Sequence, residues 1–288
     1  MPRLTATRAQ HLAQSPRGGN FAAAMPSDAP PKLFDRAAVR RHRDRAAATL
    51  APVRGLLEEA AERLLDRLDD TTRHFAAALD VGGRGVVAPL LRRRGIAAVS
   101  CDLSPRMAAH SGAPAVAADE EWLPFAPASF DLVVASLSLH WANDLPGVLI
   151  QLRRALKPDG LLLASLPALG TLEELRQALW AAEAELRGGA APRVSPFPDL
   201  ADCAALLHRT GFGLPVADIE EIGLLYADPL SLLFELRAAG EANALEQRDR
   251  RPPPRALFAR ALSALPREED RFRVTLNLAV LTGWSPPA

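Results

Sequence analysis

Residues 78–107 read ALDVGGRGVVAPLLRRRGIAAVSCDLSPRM. An apolar strand runs into Gly82, Gly83 and Gly85, a helical stretch extends to Arg94, and a second apolar strand ends at Asp102. An acidic residue about 20 positions beyond a glycine turn stands at the tip of the next strand, where its carboxylate can accept hydrogen bonds from ribose hydroxyls. The glycines allow the backbone to approach a ligand closely. From these residues alone the ligand is a dinucleotide, a mononucleoside or S-adenosylmethionine.

Working outward, the alternation of strand and helix continues. PAVAAD (114–119) reads as a third strand. SFDLVVASLSLHW (129–141) is a fourth, with the continuous apolar run of a strand covered on both faces. DLPGVLIQLRRAL is a helix, KPDG (157–160) a turn, and LLLASLP a fifth strand. Before the first strand, residues 33–70 carry apolar positions at helical spacing, with Pro52 starting a second helix. Beyond the fifth strand, Thr171 and Glu174 are spaced as a capping box for a long helix. A further helix, a strand at 216–226, a helix opened by Asp228 and Pro229, a short helix at 255–264 and a closing antiparallel strand at 271–284 follow.

The 288 residues, 49% apolar, suffice for a full core without staples. Lys and Arg total 34 against 34 Asp and Glu, so there is no global field to draw in nucleic acid, and no apolar run is long enough to span a bilayer. Cys101 and Cys203 form no close-spaced ligand cluster, which argues against a disulfide framework and suits a reducing compartment. Residues 1–31 hold Arg3, Arg8 and Arg17 with no acid before Asp28 and read as a flexible leader, a tail in a bacterial protein or a transit peptide in a eukaryotic one.

ADEEWLPFAPASFDLVVASLSLHW (118–141) and the KPDG turn resemble the strand-three to strand-four signature and the pre-strand-five turn of class I S-adenosylmethionine-dependent methyltransferases. FDR (34–36), HRDRAA (42–47), LSLHWANDLPG (137–147), TLEELR (171–176), GGAAPRVSPF (188–197) and LTGWSP (281–286) resemble the complex I assembly factor 5 methyltransferase-like family. Malonyl-carrier-protein methyltransferases of biotin synthesis are read as more distant relatives. The resemblance implies an α/β Rossmann-like fold with a seven-stranded, mostly parallel sheet ordered 3-2-1-4-5-7-6. Residues 32–288 would form one domain, with an amino-terminal helical lid at 32–72 and a helical insertion at 168–212.

The resemblance also implies S-adenosylmethionine as cofactor. Gly82, Gly83 and Gly85 would shape the turn against its methionine part, Asp102 would take the ribose hydroxyls, and Asp119 with Glu120 would mark the adenine edge. Leu103 and Trp122 would sandwich adenine, while Asp80 would serve the same turn and Ser136 the boundary between cofactor and substrate. The motif departs from DxGxGxG, because an ungapped reading puts Arg84 and Val86 where the second and third glycines fall. Either one residue is deleted, or the turn opens differently. Arg84 points outward or touches the cofactor's carboxylate.

Methyl transfer needs in-line positioning rather than a triad. His140 is the candidate catalytic residue, as a proton acceptor near neutral pH, with Ser138, Trp141, Asn143 and Asp144 beside it. The alternative is an arginine hydroxylase, the activity associated with one branch of the resembled family, or an assembly factor that keeps the pocket without methyl transfer. The six histidines offer no close start for a 2-His-1-carboxylate triad, and no metal site is expected. A protein or carrier-protein substrate is expected, with the arginines of 187–193 and 248–255 guiding an acidic partner; stable nucleic-acid binding and a transmembrane segment are not. Localisation would be cytoplasmic in a bacterium and on the mitochondrial matrix side in a eukaryote.

Overall fold

The computed structural model describes residues 32–112, 114–189 and 191–287; the leader expected over 1–31 lies outside them. Eight strands form one sheet: β1 (Ala77–Val81), β2 (Ala97–Asp102), β3 (Ala115–Ala117), β4 (Phe130–Ser136), β5 (Leu156–Pro167), β6 (Gly213–Tyr226), β7 (Arg267–Glu268) and β8 (Arg271–Trp284). Their order is 3-2-1-4-5-8-6, with the two-residue β7 paired only to β8. Strands β1 to β5 run parallel, and β8 lies antiparallel between β5 and β6. The expectation of seven strands is corrected by that stub; with β7 set aside, the order is the expected one.

Side chains alternate across a strand, so each central strand feeds two cores. Ala78, Leu132 and Leu163 face a layer built on α2 (Arg54–Asp66) and α3 (Val87–Arg93). Leu79, Val133 and Leu162 face α5 (Leu145–Ala155) and α7 (Leu200–Arg209). Coverage on both faces is why these strands are apolar throughout rather than alternating. A third cluster joins α6 (Glu173–Arg187), α8 (Pro229–Ala238) and α9 (Arg255–Ser263) to the far end of the long β6–β8 pair. A fourth holds α1 (Arg36–Ala46) through Phe34, Ala38 and Val39 against Trp141 and Leu245. The remaining helix, α4 (Pro105–Ala109), is capped by Ser104, whose side chain accepts from the Met107 amide.

Several local expectations change. The Thr171–Glu174 capping box does not form: α6 starts at Glu173 behind Leu172, which has φ +52° and supplies no side-chain cap. Thr171 instead donates to the Asn277 carbonyl, and Glu174 accepts from the amide and hydroxyl of Thr275, so both tie the helix to β8. KPDG is absorbed into β5 as an irregularity between the Phe130–Leu156 and Leu132–Leu161 pairs, with Asp159 at φ +54°. The run read as one long fourth strand ends at Ser136, and Leu139–Trp141 forms a single 3-10 turn. Asp228 does cap α8 with Pro229 in its first turn.

Candidate active site

The turn after β1 is tight because of what surrounds it. Gly82 and Gly85 have φ +66° and +76°, where side chains are strained, and a Cβ on Gly82 would lie 2.6 Å from the Ser138 Cβ. A Cβ on Gly83 would lie 2.1 Å from Asp80 Oδ1, and one on Gly85 would strike His110. Asp80 is buried beneath the turn; its Oδ2 accepts from the Ala88 amide and the Ser100 hydroxyl, while Oδ1 has no partner. Arg84 also takes a positive φ, 51°, but its guanidinium turns inward and is buried. It pairs with Glu241, so the outward orientation is excluded.

Burial pushes the Asp80 carboxyl up to about 7, with the neighbouring Asp102 charge adding to the rise and its hydrogen bonds opposing it. A carboxyl raised above its unfolded value binds protons more tightly when folded, so its contribution to stability is full below pH 3.8 and lost as pH rises through about 7. Asp80→Asn removes this loss. The variant is expected to gain on wild type by up to ~4 kcal/mol between about pH 4 and 8, read as a widening gap between their urea midpoints. A gap that stays constant with pH would show that Asp80 remains ionised.

The acidic residues at the tips of β2 and β3 come together as expected, but α1 already contacts them. Arg43, buried on α1, places Nη1 2.8 Å from Asp102 Oδ2, while Asp102 Oδ1 accepts from the Ser104 amide. Arg36, one helical segment earlier, reaches Asp119 at 2.6 Å and Glu120 at 2.8 Å, and donates to the Trp141 carbonyl. Helix α1 is thus pinned across the carboxyl ends of the strands by two arginines and three acids. Leu103 packs into the Phe34–Trp141 cluster, whereas Trp122 is 80% exposed. Ser136 is buried at the end of β4.

His140 stands in the 3-10 turn beyond β4, its ring 5.4 Å from that of Trp141. Its partner is a carboxylate rather than backbone: Nε2 lies 2.7 Å from Glu241 Oε2, and the Trp141 indole donates to the same oxygen at 2.7 Å. Burial raises the Glu241 carboxyl, but His140, Arg84 and Arg43 outweigh it and hold it well below the usual carboxylate range. In the neutral tautomer that donates Nε2–H to the ionised Glu241, Nδ1 is the acceptor. That Nδ1 is buried and unpartnered. His140, Glu241 and Arg84 together wall one end of a chamber of about 580 Å³.

Other expected residues are structural. Asn143 accepts from the Leu33 and Phe34 amides and donates to the Phe34 carbonyl, and Asp144 caps α5. The arginines expected to guide an acidic partner are mostly paired within the chain: Arg187 and Arg251 with Asp249, Arg193 with Glu183, Arg248 with Asp35 and Arg250 with Glu246. Their field is neutralised where it originates. Cys101 and Cys203 are buried and free. Among the described residues, no group of three His, Cys, Asp or Glu is arranged to hold a metal ion, and no helix is long and apolar enough to cross a membrane.

A methyltransferase-domain family profile matches residues 79–164, the segment from β1 through most of β5. The arginine-hydroxylase NDUFAF5 of Danio rerio is 36% identical over 269 residues, covering 88% of this chain and 83% of its own. The chain belongs to the NDUFAF5 family. The human mitochondrial NDUFAF5 is 35% identical and covers 94% of this chain and 80% of its own. A malonyl-[acyl-carrier protein] O-methyltransferase from Methylovorus is 34% identical, covering 89% and 91%. In fold, a putative methyltransferase from Bacillus halodurans superimposes with a TM-score of 0.52 at 16% identity, covering 77% of this chain and 98% of its own.

The cofactor of this family is S-adenosylmethionine, and the residues at the glycine turn fit it. Asp80 Oδ1, Ser138 Oγ and Arg84 Nε are buried polar atoms without partners, grouped around Gly82–Gly85. A carboxylate offers about four lone-pair sites, and Asp102 uses one on each oxygen.

Glu241 is the residue that sequence reading missed. It follows Gly240 after α8, about a hundred positions from His140, and the only local signal is the helix-ending glycine at φ +83°. The α1 arginines lay inside the quoted FDR and HRDRAA motifs, but their acid partners were not legible.

Proposed function

We propose that this protein is an S-adenosylmethionine-dependent O-methyltransferase in which His140 is the general base and Glu241 its positioning residue. The observation that carries the reading is the unpartnered, buried Nδ1 of His140 in the wall of the chamber, with Nε2 held by Glu241. The cofactor supplies a sulfonium-bound methyl group and leaves as a neutral thioether. Nδ1 accepts the hydroxyl proton of the acceptor as its oxygen forms the new bond to carbon, and the ionised Glu241 stabilises the imidazolium that results. Asp102 takes the ribose hydroxyls, Asp119 and Glu120 mark the adenine edge beside Leu103, and Gly82, Gly83 and Gly85 border the methionine part with Asp80 beneath them. Ser136 and Ser138 stand at the boundary with the acceptor.

The malonyl-carrier-protein methyltransferases among the relatives support an oxygen acceptor and a carrier-protein partner. The NDUFAF5 relatives, named as arginine hydroxylases, make oxygen transfer the reading to test against. Purified protein is incubated with methyl-labelled S-adenosylmethionine and fractionated lysate, and the products are weighed intact. Gain of a labelled methyl is expected. His140→Gln should lower its rate by about 10²–10⁴-fold while leaving S-adenosylhomocysteine affinity unchanged by calorimetry. A product heavier by one oxygen, or an undiminished rate in the variant, would overturn the assignment.

A further inference from the structure

The chamber is far more apolar than a guanidino or malonyl group requires. Its volume, about 580 Å³, lies in the range of sites that enclose a drug-sized molecule. Leu57 of α2, Leu175 of α6, Leu224 of β6, Leu232 and Leu233 of α8 and Phe258 of α9 line it, so five separate elements turn apolar side chains inward. His140 and Glu241 also line it, and so do Arg45 and Arg237. Both of these arginines are exposed and neither makes an ion pair among the described residues, unlike the neutralised arginines of 187–193 and 248–251. The lining thus combines a histidine whose Nδ1 has no partner, a long apolar wall and two exposed arginines without an ion pair among the described residues.

We propose that the chamber binds an aliphatic chain bearing a hydroxyl at one end and an anionic group at the other, as in an ω-hydroxy fatty acid or the same chain tethered through a carrier's phosphodiester. This rests on the reading of His140 as the acceptor of a hydroxyl proton. The hydroxyl pairs with Nδ1, which otherwise remains a buried polar atom without a partner, at a cost that burial makes substantial. The methylenes cover the leucines and Phe258, and the anion meets Arg45 and Arg237. A three-carbon acyl group would leave most of that wall uncovered.

The test uses the full chain and a series of ω-hydroxyalkanoates from six to twelve carbons, titrated by calorimetry in the presence of S-adenosylhomocysteine. Affinity is expected to rise about three- to fourfold per added methylene until the chamber is full. Leu224→Trp and Leu233→Trp, at two half-buried lining positions on different elements, should flatten the series; either alone suffices if the other does not fold. Arg45→Gln/Arg237→Gln should weaken every member by a similar factor without altering the chain-length slope. The 10-hydroxydecanoyl acyl-carrier protein, run beside free 10-hydroxydecanoate, identifies the source by which of the two binds more tightly. Affinity independent of chain length, or a slope unchanged in both tryptophan variants, would overturn the proposal. Chain-length-dependent binding with no methylated product would uphold the chamber's ligand while removing the methyl-transfer reading. Methylation of a short polar acceptor without any chain-length dependence would do the reverse.

Discussion

Glu241→Ala is expected to unfold with a loss of about 3–5 kcal/mol, the cost of leaving a buried charge without its partner. Arg84 is buried at the glycine turn, and among the described residues Glu241 is the one carboxylate within ion-pair distance of it. The same substitution strands the Trp141 indole and the His140 Nε2, both of which bond Oε2. Glu241→Gln separates stability from chemistry. The amide keeps the shape, but its single oxygen cannot serve Arg84, His140 and Trp141 together. Methyl transfer should fall by about 100-fold or more, and His140→Gln/Glu241→Gln should fall no further than the worse single variant, because the two residues act as one unit. Additive losses in the double variant would show that Glu241 acts only through folding.

The second large effect concerns α1. Asp102→Ala takes from the buried Arg43 guanidinium the carboxylate it bonds, and Arg43→Ala takes from Asp102 its cation; each should lose about 3–5 kcal/mol in urea unfolding. The side chains are only 3% exposed on both sides of the pair, so solvent does little to screen it. Arg43→Met/Asp102→Leu replaces the pair by apolar volume and should recover most of that loss, giving a coupling of roughly 2–3 kcal/mol in the double-mutant cycle. Cofactor binding divides the same variants differently. Asp102→Ala should weaken S-adenosylhomocysteine by about 1–3 kcal/mol, whereas Arg43→Met, which leaves the carboxylate in place, should weaken it less. Equal weakening would mean that Asp102 serves α1 rather than the ribose.

The order of strands and helices was legible because it rests on short-range patterns. Apolar runs bounded by turns, a glycine loop and an acid at a strand tip recur at spacings that the sheet geometry demands, which is why Asp80, Asp102, Asp119 and Glu120 were found before any contact was known. Local signals failed where a tertiary partner outbid them. Thr171 and Glu174 had the spacing of a helix cap, but β8 lies beside them and takes both side chains. Trp122, an aromatic next to Asp119 and Glu120, stands exposed, while Leu103 packs against the cluster that holds Phe34, Ala38 and Trp141.

What the sequence determined by itself, then, is the sheet, the glycine turn after β1 and the acids at the tips of the next strands, since each depends on residues within a few positions of one another. The tertiary structure alone decided which charges meet. Arg84 could have faced water, and Glu241 reads as one acid among many after a helix. They pair because Gly240, at φ +83°, packs against Ala46 and Arg43 of α1 and brings the end of α8 to the glycine turn. An ion pair between residues 84 and 241 depends on the path of the chain between them, which no local pattern encodes.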